Sequence, residues 1–230
     1  MSAAPDWAAI AAELEAEGRA VISGLISPEN CAYLAALHGR DALFRKRIDM
    51  ARHGYGRGTY GYFAYPLPDP VAALRSALYP RLAPIANGWE AALGRDQAYP
   101  ADLDAFLDRC HGAGQGRPTP LILKYGPGDY NRLHQDLYGA LAFPLQAAFL
   151  LSRPEADFTG GELVLTEQSP RRQSRAEVVT LAQGEGAIFA VDARPVRGAR
   201  GYRRVAMRHG VSRVRSGSRL ALGIIFHDAA

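Results

Sequence analysis

Lysine is nearly missing from this chain: of 27 basic residues only Lys46 and Lys124 are lysine, and all the others are arginine. Cysteine is as scarce, with Cys31 and Cys110 alone in 230 residues. Two cysteines make no disulfide framework, which points to a reducing, cytoplasmic setting. No apolar run approaches the roughly 18 residues that a spanning helix needs, so no membrane partner is expected. The start, Met1-Ser2-Ala3-Ala4-Pro5-Asp6, lacks the basic residues and apolar stretch of a secretory signal. There is no internal repeat, low-complexity tract or long linker. One domain over residues 1–230 is therefore expected, with 48% hydrophobic residues to build its core.

What charge there is lies unevenly. The span 171–219 holds twelve arginines against Glu177, Glu185 and Asp192, a net of +9. Since the whole chain carries +4, the remainder is −5. An Ala- and Arg-rich, Lys-poor composition is what a GC-rich genome produces, and this accounts for arginine over lysine. It does not account for the clustering, which suits a surface that meets phosphates through bidentate guanidinium forks.

Helices are expected in the first half. Asp6–Glu17 has Trp7, Ile10 and Leu14 at helical spacing with Gly18 to close it. Ala20–Ile26 reads as a short strand. Ser27-Pro28-Glu29 opens a second helix running to about Gly39, with His38 in its last turn. Val71–Leu93 is helical, with Pro80 and Pro84 as candidate break points. Ala101–His111 is another helix, and Cys110-His111 reads as its C-terminus. Between them, Asp41–Pro68 interleaves glycine, arginine and aromatic residues and admits two readings. One is a hairpin with an aromatic strand packed on the core. The other is a mobile lid over a substrate, with Tyr55, Tyr60 and Tyr62 as stacking partners.

From Pro118 the pattern changes to strands: Leu121–Tyr125, Leu145–Ser152, Glu162–Leu165, Glu177–Leu181, Ala187–Val191, Met207–Val211 and Arg219–Phe226. Short strands between Gly/Pro/Arg loops, with helices gathered upstream, predict a mainly β, α+β fold. Its core is expected to be a cupin-like jelly roll, or double-stranded β-helix. Residues 1–115 are expected to supply helical support and the lid region, and 116–230 the jelly-roll catalytic core.

The chemistry gathers around Tyr125 to Asp136, a strand, a Gly/Pro turn and a second strand ending in His134-Gln135-Asp136. Residues two apart on a strand share a face, so His134 and Asp136 converge while Gln135 turns away. His209 follows 75 residues later, also on an expected strand. Two imidazoles and a carboxylate make the facial triad that holds non-heme Fe(II) and leaves positions open. His38 and His111 end helices, His53 lies in the loop, and His227 beside Asp228 reads as structural or exposed. Ten residues past His209, Arg219 opens an otherwise apolar strand. An arginine directed into a core needs an anion, and the far carboxylate of a dicarboxylate would supply one. Tyr125 could donate a hydrogen bond to the same group.

Taken together, Tyr125, His134-x-Asp136, Gly160-Gly161-Glu162-Leu163, His209 and Arg219 resemble the Fe(II)/2-oxoglutarate-dependent dioxygenases. The spacing from His209 to Arg219 is similar to the prolyl-hydroxylase-like branch. From about Arg45 onward the chain resembles more closely a bacterial oxygenase family described as acting on alkylated or damaged DNA. The matching stretches are Arg52-His53-Gly54-Tyr55-Gly56-Arg57-Gly58, Tyr65-Pro66-Leu67-Pro68 and Ala83-Pro84-Ile85-Ala86-Asn87. Further on they are Tyr125 to Tyr138, Arg208-His209-Gly210-Val211 and Gly223-Ile224-Ile225-Phe226-His227-Asp228. One departure stands out. The better-studied alkylated-DNA dioxygenases carry an Arg-x5-Arg pair farther past the distal histidine. Arg213 and Arg219 have that mutual spacing but sit close to His209. Arg219 is therefore assigned to the cosubstrate, and Arg213 to substrate contact or plain surface.

The resemblance implies His134, Asp136 and His209 as ligands of Fe(II), with 2-oxoglutarate and O2 as cosubstrates. It also implies Arg219 and Tyr125 at the 2-oxoglutarate carboxylate. Arg52, His53, Tyr55, Arg57 and Arg213 become candidate substrate contacts. Three functions follow in order of expectation. They are oxidative demethylation of alkylated single-stranded DNA or RNA, prolyl-hydroxylase-like protein or small-molecule hydroxylation, and a non-enzymatic cupin-fold binder.

Overall fold

The computed structural model describes residues 4–230. Helix α1 (Trp7–Glu17) starts at an Asp6 side chain that accepts from the Ala8 and Ala9 N–H groups, and ends at left-handed Gly18. Strand β1 (Arg19–Ile22) is shorter than the expected Ala20–Ile26, because the chain turns at Ser23-Gly24. Helix α2 (Pro28–Leu37) has the expected Ser27 cap, its Oγ accepting from Asn30 N–H.

The 41–65 segment is β-structure. Strands β2 (Phe44–Asp49), β3 (Gly56–Arg57) and β4 (Thr59–Phe63) surround a 3-10 turn at Met50–His53. β2 pairs with β4, and β4 with β5 (Leu121–Tyr125), so the aromatic strand does pack on the core. The hairpin reading describes 44–63. The 53–55 turn meanwhile reaches the cavity described below.

Helix α3 (Asp69–Ala92) runs through Pro80 and Pro84 without interruption. Both prolines face solvent, where water can take the carbonyls they leave free. The opposite face buries Val71, Leu74, Leu78, Tyr79, Leu82, Ala83, Ala86 and Trp89. Each large side chain there contributes roughly 1.5–3 kcal/mol. Together they outweigh about 3 kcal/mol per interior proline. Helix α4 (Leu103–Gly112) follows, capped by Asp102.

The remaining strands are β6 (Tyr130–His134), β7 (Leu145–Leu150), β8 (Phe158–Gly160), β9 (Leu163–Gln168), β10 (Arg175–Val179), β11 (Gly186–Ala190), β12 (Ala193–Gly198), β13 (Gly201–Val211), β14 (Val214–Gly217) and β15 (Arg219–Ile225). β8, β12, β14 and the first half of β13 were not expected. One sheet has the order β1-β11-β7-β15-β5-β4-β2, and the other β10-β9-β13-β6-β3 with β12 on β13. All these pairings are antiparallel, and the two sheets form the jelly roll. The first 115 residues thus contribute four strands as well as helices.

Alternation along β15 sorts the layers. Leu222, Ile224 and Phe226 join the core under α2 and α3, while Arg219, Ala221, Gly223 and Ile225 face the other sheet across a cavity. The end of β15 is pinned by Arg75. Its guanidinium donates to the Ile225 and Phe226 carbonyls at 3.0 and 2.9 Å and to Asp228 Oδ1 at 2.8 Å. The His111 imidazole lies 2.9 Å from the other Asp228 oxygen, so this helix-terminal histidine joins the same network. No helix of the described residues is long and apolar enough to cross a membrane.

Candidate metal centre and anion seat

β13 and β6 lie side by side with His209 directly opposite His134, and Asp136 follows two residues past the end of β6. Gln135 turns away, as the strand spacing predicts. Its amide donates to the Asp192 and Met207 carbonyls, both at 2.8 Å, which fixes this strand end. His134 Nε2 stands 3.5 Å from Asp136 Oδ1, and His209 Nε2 stands 3.2 Å from Asp136 Oδ2. One donor atom from each residue fits within 4.8 Å of the others.

The donors are set up as ligands. His134 Nδ1 lies 2.7 Å from the Arg132 carbonyl, a contact that only an N–H makes, so Nε2 keeps its lone pair toward Asp136. Burial, followed by the charge of His209, lowers the His134 pKa and favours the neutral ring. Burial acts to raise the Asp136 pKa, but the hydrogen bond and charge of His209, then His134 and Tyr138, bring it below the usual carboxylate range. Two residues without an assigned role in the sequence hold that carboxylate. The Tyr138 hydroxyl donates to Oδ1, and Gln146 Nε2 donates to Oδ2 at 3.0 Å.

A second group lies in the same cavity. Arg219 opens β15 directly opposite Tyr125 on β5. The guanidinium carbon lies 5.7 Å from the Tyr125 ring centre and 5.9 Å from that of Phe158. Arg219 is 5% exposed, yet its Nε and the Tyr125 hydroxyl are both without a hydrogen-bond partner. No carboxylate of the described residues pairs with this guanidinium. Burial raises the Tyr125 pKa, which keeps the hydroxyl a donor. Gly161, at φ +67°, makes room here, since a Cβ would stand 2.8 Å from Arg219 Cδ. A buried guanidinium without a counterion is costly, and a carboxylate entering the cavity would satisfy it and Tyr125 together.

Both groups line one cavity of about 640 Å3. The His/Asp/His donors suit Fe(II) with open positions, and the anion seat suits the remote carboxylate of a dicarboxylate. The residues present therefore fit Fe(II), 2-oxoglutarate and O2 as the cofactor set.

A family model described as "Oxygenase, catalysing oxidative methylation of damaged DNA" matches residues 58–229. The chain belongs to this oxygenase family. Uncharacterized protein Rv2227 of Mycobacterium tuberculosis H37Rv is 53% identical over 174 residues, covering 76% of this chain and 75% of the relative. Uncharacterized protein MT2286, from strain CDC 1551, matches to the same extent. Among solved structures, a Pseudomonas putida prolyl-4-hydroxylase superposes with a TM-score of 0.57 at 16% identity, over 97% of this chain and 100% of that one. A 2OG-Fe(II) oxygenase family oxidoreductase from Burkholderia pseudomallei has a TM-score of 0.57 at 17% identity, over 100% and 96% of the two chains. At these identities the structural likeness concerns the fold.

The oxygenase's other expected site residues divide. His53 and Tyr55 line the cavity with rings stacked 5.4 Å apart, Tyr55 half exposed at the mouth. Tyr60 and Tyr62 line it too, but Tyr62 is buried and donates to the Tyr138 hydroxyl at 3.0 Å, so it belongs to the wall. Arg52, Arg57 and Arg213 are exposed and absent from the lining. Arg52 sits 3.4 Å from Asp49, and Arg57 sits 3.9 Å from Asp129. The arginines of 171–219 do not share one surface either. Arg194 is buried against Glu167 at 2.7 Å, Arg175 bridges to Glu17, and Arg219 is inside the cavity. His227 is not exposed: it is fully buried, its Nδ1 accepting from the Phe143 N–H at 3.1 Å. Sequence reasoning missed Gln146, Tyr138, Lys46, Arg132, Leu133 and Leu137 in the lining. Gln146 carried a usable signal, being the one polar side chain inside the apolar strand Leu145–Leu150.

Proposed function

We propose that this oxygenase oxidises N-alkyl groups on unpaired bases of nucleic acid, with His134, Asp136 and His209 holding Fe(II). In the same reading, Arg219 and Tyr125 hold the remote carboxylate of 2-oxoglutarate. The observation that carries it is the unpartnered Arg219–Tyr125 pair in one cavity with a two-histidine, one-carboxylate cluster. Bound Fe(II) supplies the oxidant by coupling O2 to the conversion of 2-oxoglutarate into succinate and CO2. The protein's part is positioning and water exclusion. Tyr138 and Gln146 fix both oxygens of Asp136, so the carboxylate keeps one orientation through turnover. Leu121, Leu123, Phe189 and Ile225 give the cavity apolar walls.

The nucleic-acid substrate is supported by the family description and by the stacked His53–Tyr55 pair at the mouth. A base must leave its stack to reach an enclosed centre, and aromatic rings at the entrance can receive it. Hydroxylation of an N-methyl group gives a hemiaminal, which releases formaldehyde and the unmodified base.

The test is succinate release with Fe(II), 2-oxoglutarate and ascorbate over methylated single-stranded DNA, methylated RNA and proline-containing peptides. The expected result is stimulation by methylated single-stranded DNA with formaldehyde equal to succinate. Stimulation by peptides alone would replace this reading with prolyl hydroxylation, which the spacing from His209 to Arg219 favours.

A further inference from the structure

The hairpin of β12 and β13 ends in Arg197-Gly198-Ala199-Arg200-Gly201-Tyr202-Arg203-Arg204, four arginines in eight residues with no acid. Exposed arginines elsewhere divide: Arg52 and Arg153 sit beside carboxylates, whereas Arg132 and Arg213 do not. Here Arg204 has one, Asp192 at 2.9 Å, but Arg197, Arg200 and Arg203 have none among the described residues. β12 pairs with β13 alone, so the tip is a ribbon two strands wide. Tyr202 is 47% exposed and lies directly opposite Arg197. Alternation puts Arg203 on the other face of the ribbon, and Arg200 lies in the turn. Gln168, at the end of β9, pairs with Ala206, so the β9–β10 turn with Arg171 and Arg172 adjoins the root of the hairpin.

That root is tied to the metal centre. Gln135, between His134 and Asp136, bonds the Asp192 carbonyl before β12 and the Met207 carbonyl within β13. Arg203 and His209 lie on the same continuous strand, six residues apart and therefore roughly 20 Å along it.

We propose that the β12–β13 hairpin grips the phosphate backbone of the nucleic acid whose altered base enters the cavity. Unpaired guanidiniums on both faces and at the turn suit phosphates, and an exposed tyrosine among glycines suits a base. A membrane surface fits poorly, because no large aliphatic side chain accompanies the arginines at the tip. A reach of roughly 20 Å spans about six nucleotides at 3.4 Å each. The grip rests on the nucleic-acid reading of the cavity, but its test needs no turnover.

The decisive comparison is fluorescence anisotropy with a labelled, unmethylated single strand of about 20 nucleotides, longer than the 4–16 that one groove covers. It pairs the wild type with the Arg197→Gln/Arg200→Gln/Arg203→Gln variant. Loss of three phosphate contacts should flatten the log affinity against log salt slope by about 2. Low-salt affinity should fall at least about tenfold. With methylated substrates, KM should rise for the long strand and stay unchanged for a strand of about three nucleotides, with kcat preserved. Arg200→Glu, a single change in the turn, should reproduce the direction and guard against misfolding. An unchanged salt slope in both variants overturns the grip. So does hairpin-dependent binding of phosphatidylglycerol vesicles without binding of DNA. Hairpin-dependent DNA binding in a protein that oxidises no methylated base upholds the grip and removes the demethylation reading. Oxidation of long methylated strands with hairpin-independent affinity does the reverse.

Discussion

Arg219 is buried with its Nε unbonded, and the Tyr125 hydroxyl opposite it is in the same state. Without a ligand this charge costs stability, so Arg219→Met should raise the melting temperature of the cofactor-free protein. The gain should be on the order of 1–3 kcal/mol. The same change should weaken 2-oxoglutarate binding roughly 10- to 100-fold, the loss of a charge-assisted pair. Melts with and without 2-oxoglutarate read both effects, and a fall in cofactor-free stability would mean that Arg219 has an internal partner. His227 makes a separate prediction. Burial pushes its imidazole from 6.5 down to about 4. Between those values the unfolded chain binds the proton and the native protein does not, so stability should rise with pH across that window. The stabilisation, about 3 kcal/mol at most, is complete above 6.5 and lost as pH falls toward 4. Urea midpoints across this range should show the slope, and His227→Gln should flatten it.

Among the elements, α3 carries its own test. Pro80 and Pro84 each remove a helical hydrogen bond on the exposed face. Pro80→Ala and Pro84→Ala should each stabilise the protein by about 1–2 kcal/mol, less than the helix cost because alanine also frees the unfolded chain. Denaturant midpoints would show it, and destabilisation would mean that the prolines make contacts worth keeping. The candidate breaks did not occur because the apolar spacing on the buried face outweighs local propensity, and that spacing was visible in the sequence. Metal-type donors were also legible, since few patterns put His-x-Asp and a later histidine on strands. Arg219 was legible as the only charge on an apolar strand. β12 and the start of β13 were not, because the buried part of β12 includes Arg194 and Pro195, and Arg197 to Arg204 show no hydrophobic alternation. Tyr138 was not, because its role depends on where Asp136 lies in space. Loop position suggested Arg52 and Arg57 as substrate contacts, but their direction away from the cavity is set by β3 and the preceding turn.

At the scale of the molecule, the candidate site bridges two layers. His134 and His209 belong to the sheet of β6 and β13, with Asp136 just past the end of β6, while Arg219, Tyr125 and Gln146 belong to the facing sheet. Fe(II) with 2-oxoglutarate would link them, so the pair should raise the melting temperature together. At 100 times the dissociation constant the stabilisation should be about 2.7 kcal/mol. His134→Ala should abolish the metal-dependent part, and a gain that survives it would reject this ligand set.

The β6–β13 ladder matches His209 with His134 and Val211 with Asn131, and the register shifts between the two pairs. On its other side β6 meets the two residues of β3 and the Tyr55 carbonyl, which accepts from the Arg132 N–H at 2.9 Å. β6 is thus held by an irregular seam and a short edge, whereas β9 is flanked by β10 and β13, and β15 by β7 and β5, along longer ladders. A metal shared by His134 and His209 would act as a rivet across that seam. Amide protons of Tyr130 to His134 should therefore exchange with deuterium quickly in the metal-free protein and slowly once metal is added. The amides of β15 should keep one slow rate in both conditions, which would make β6 the part of the jelly roll whose local stability the metal sets.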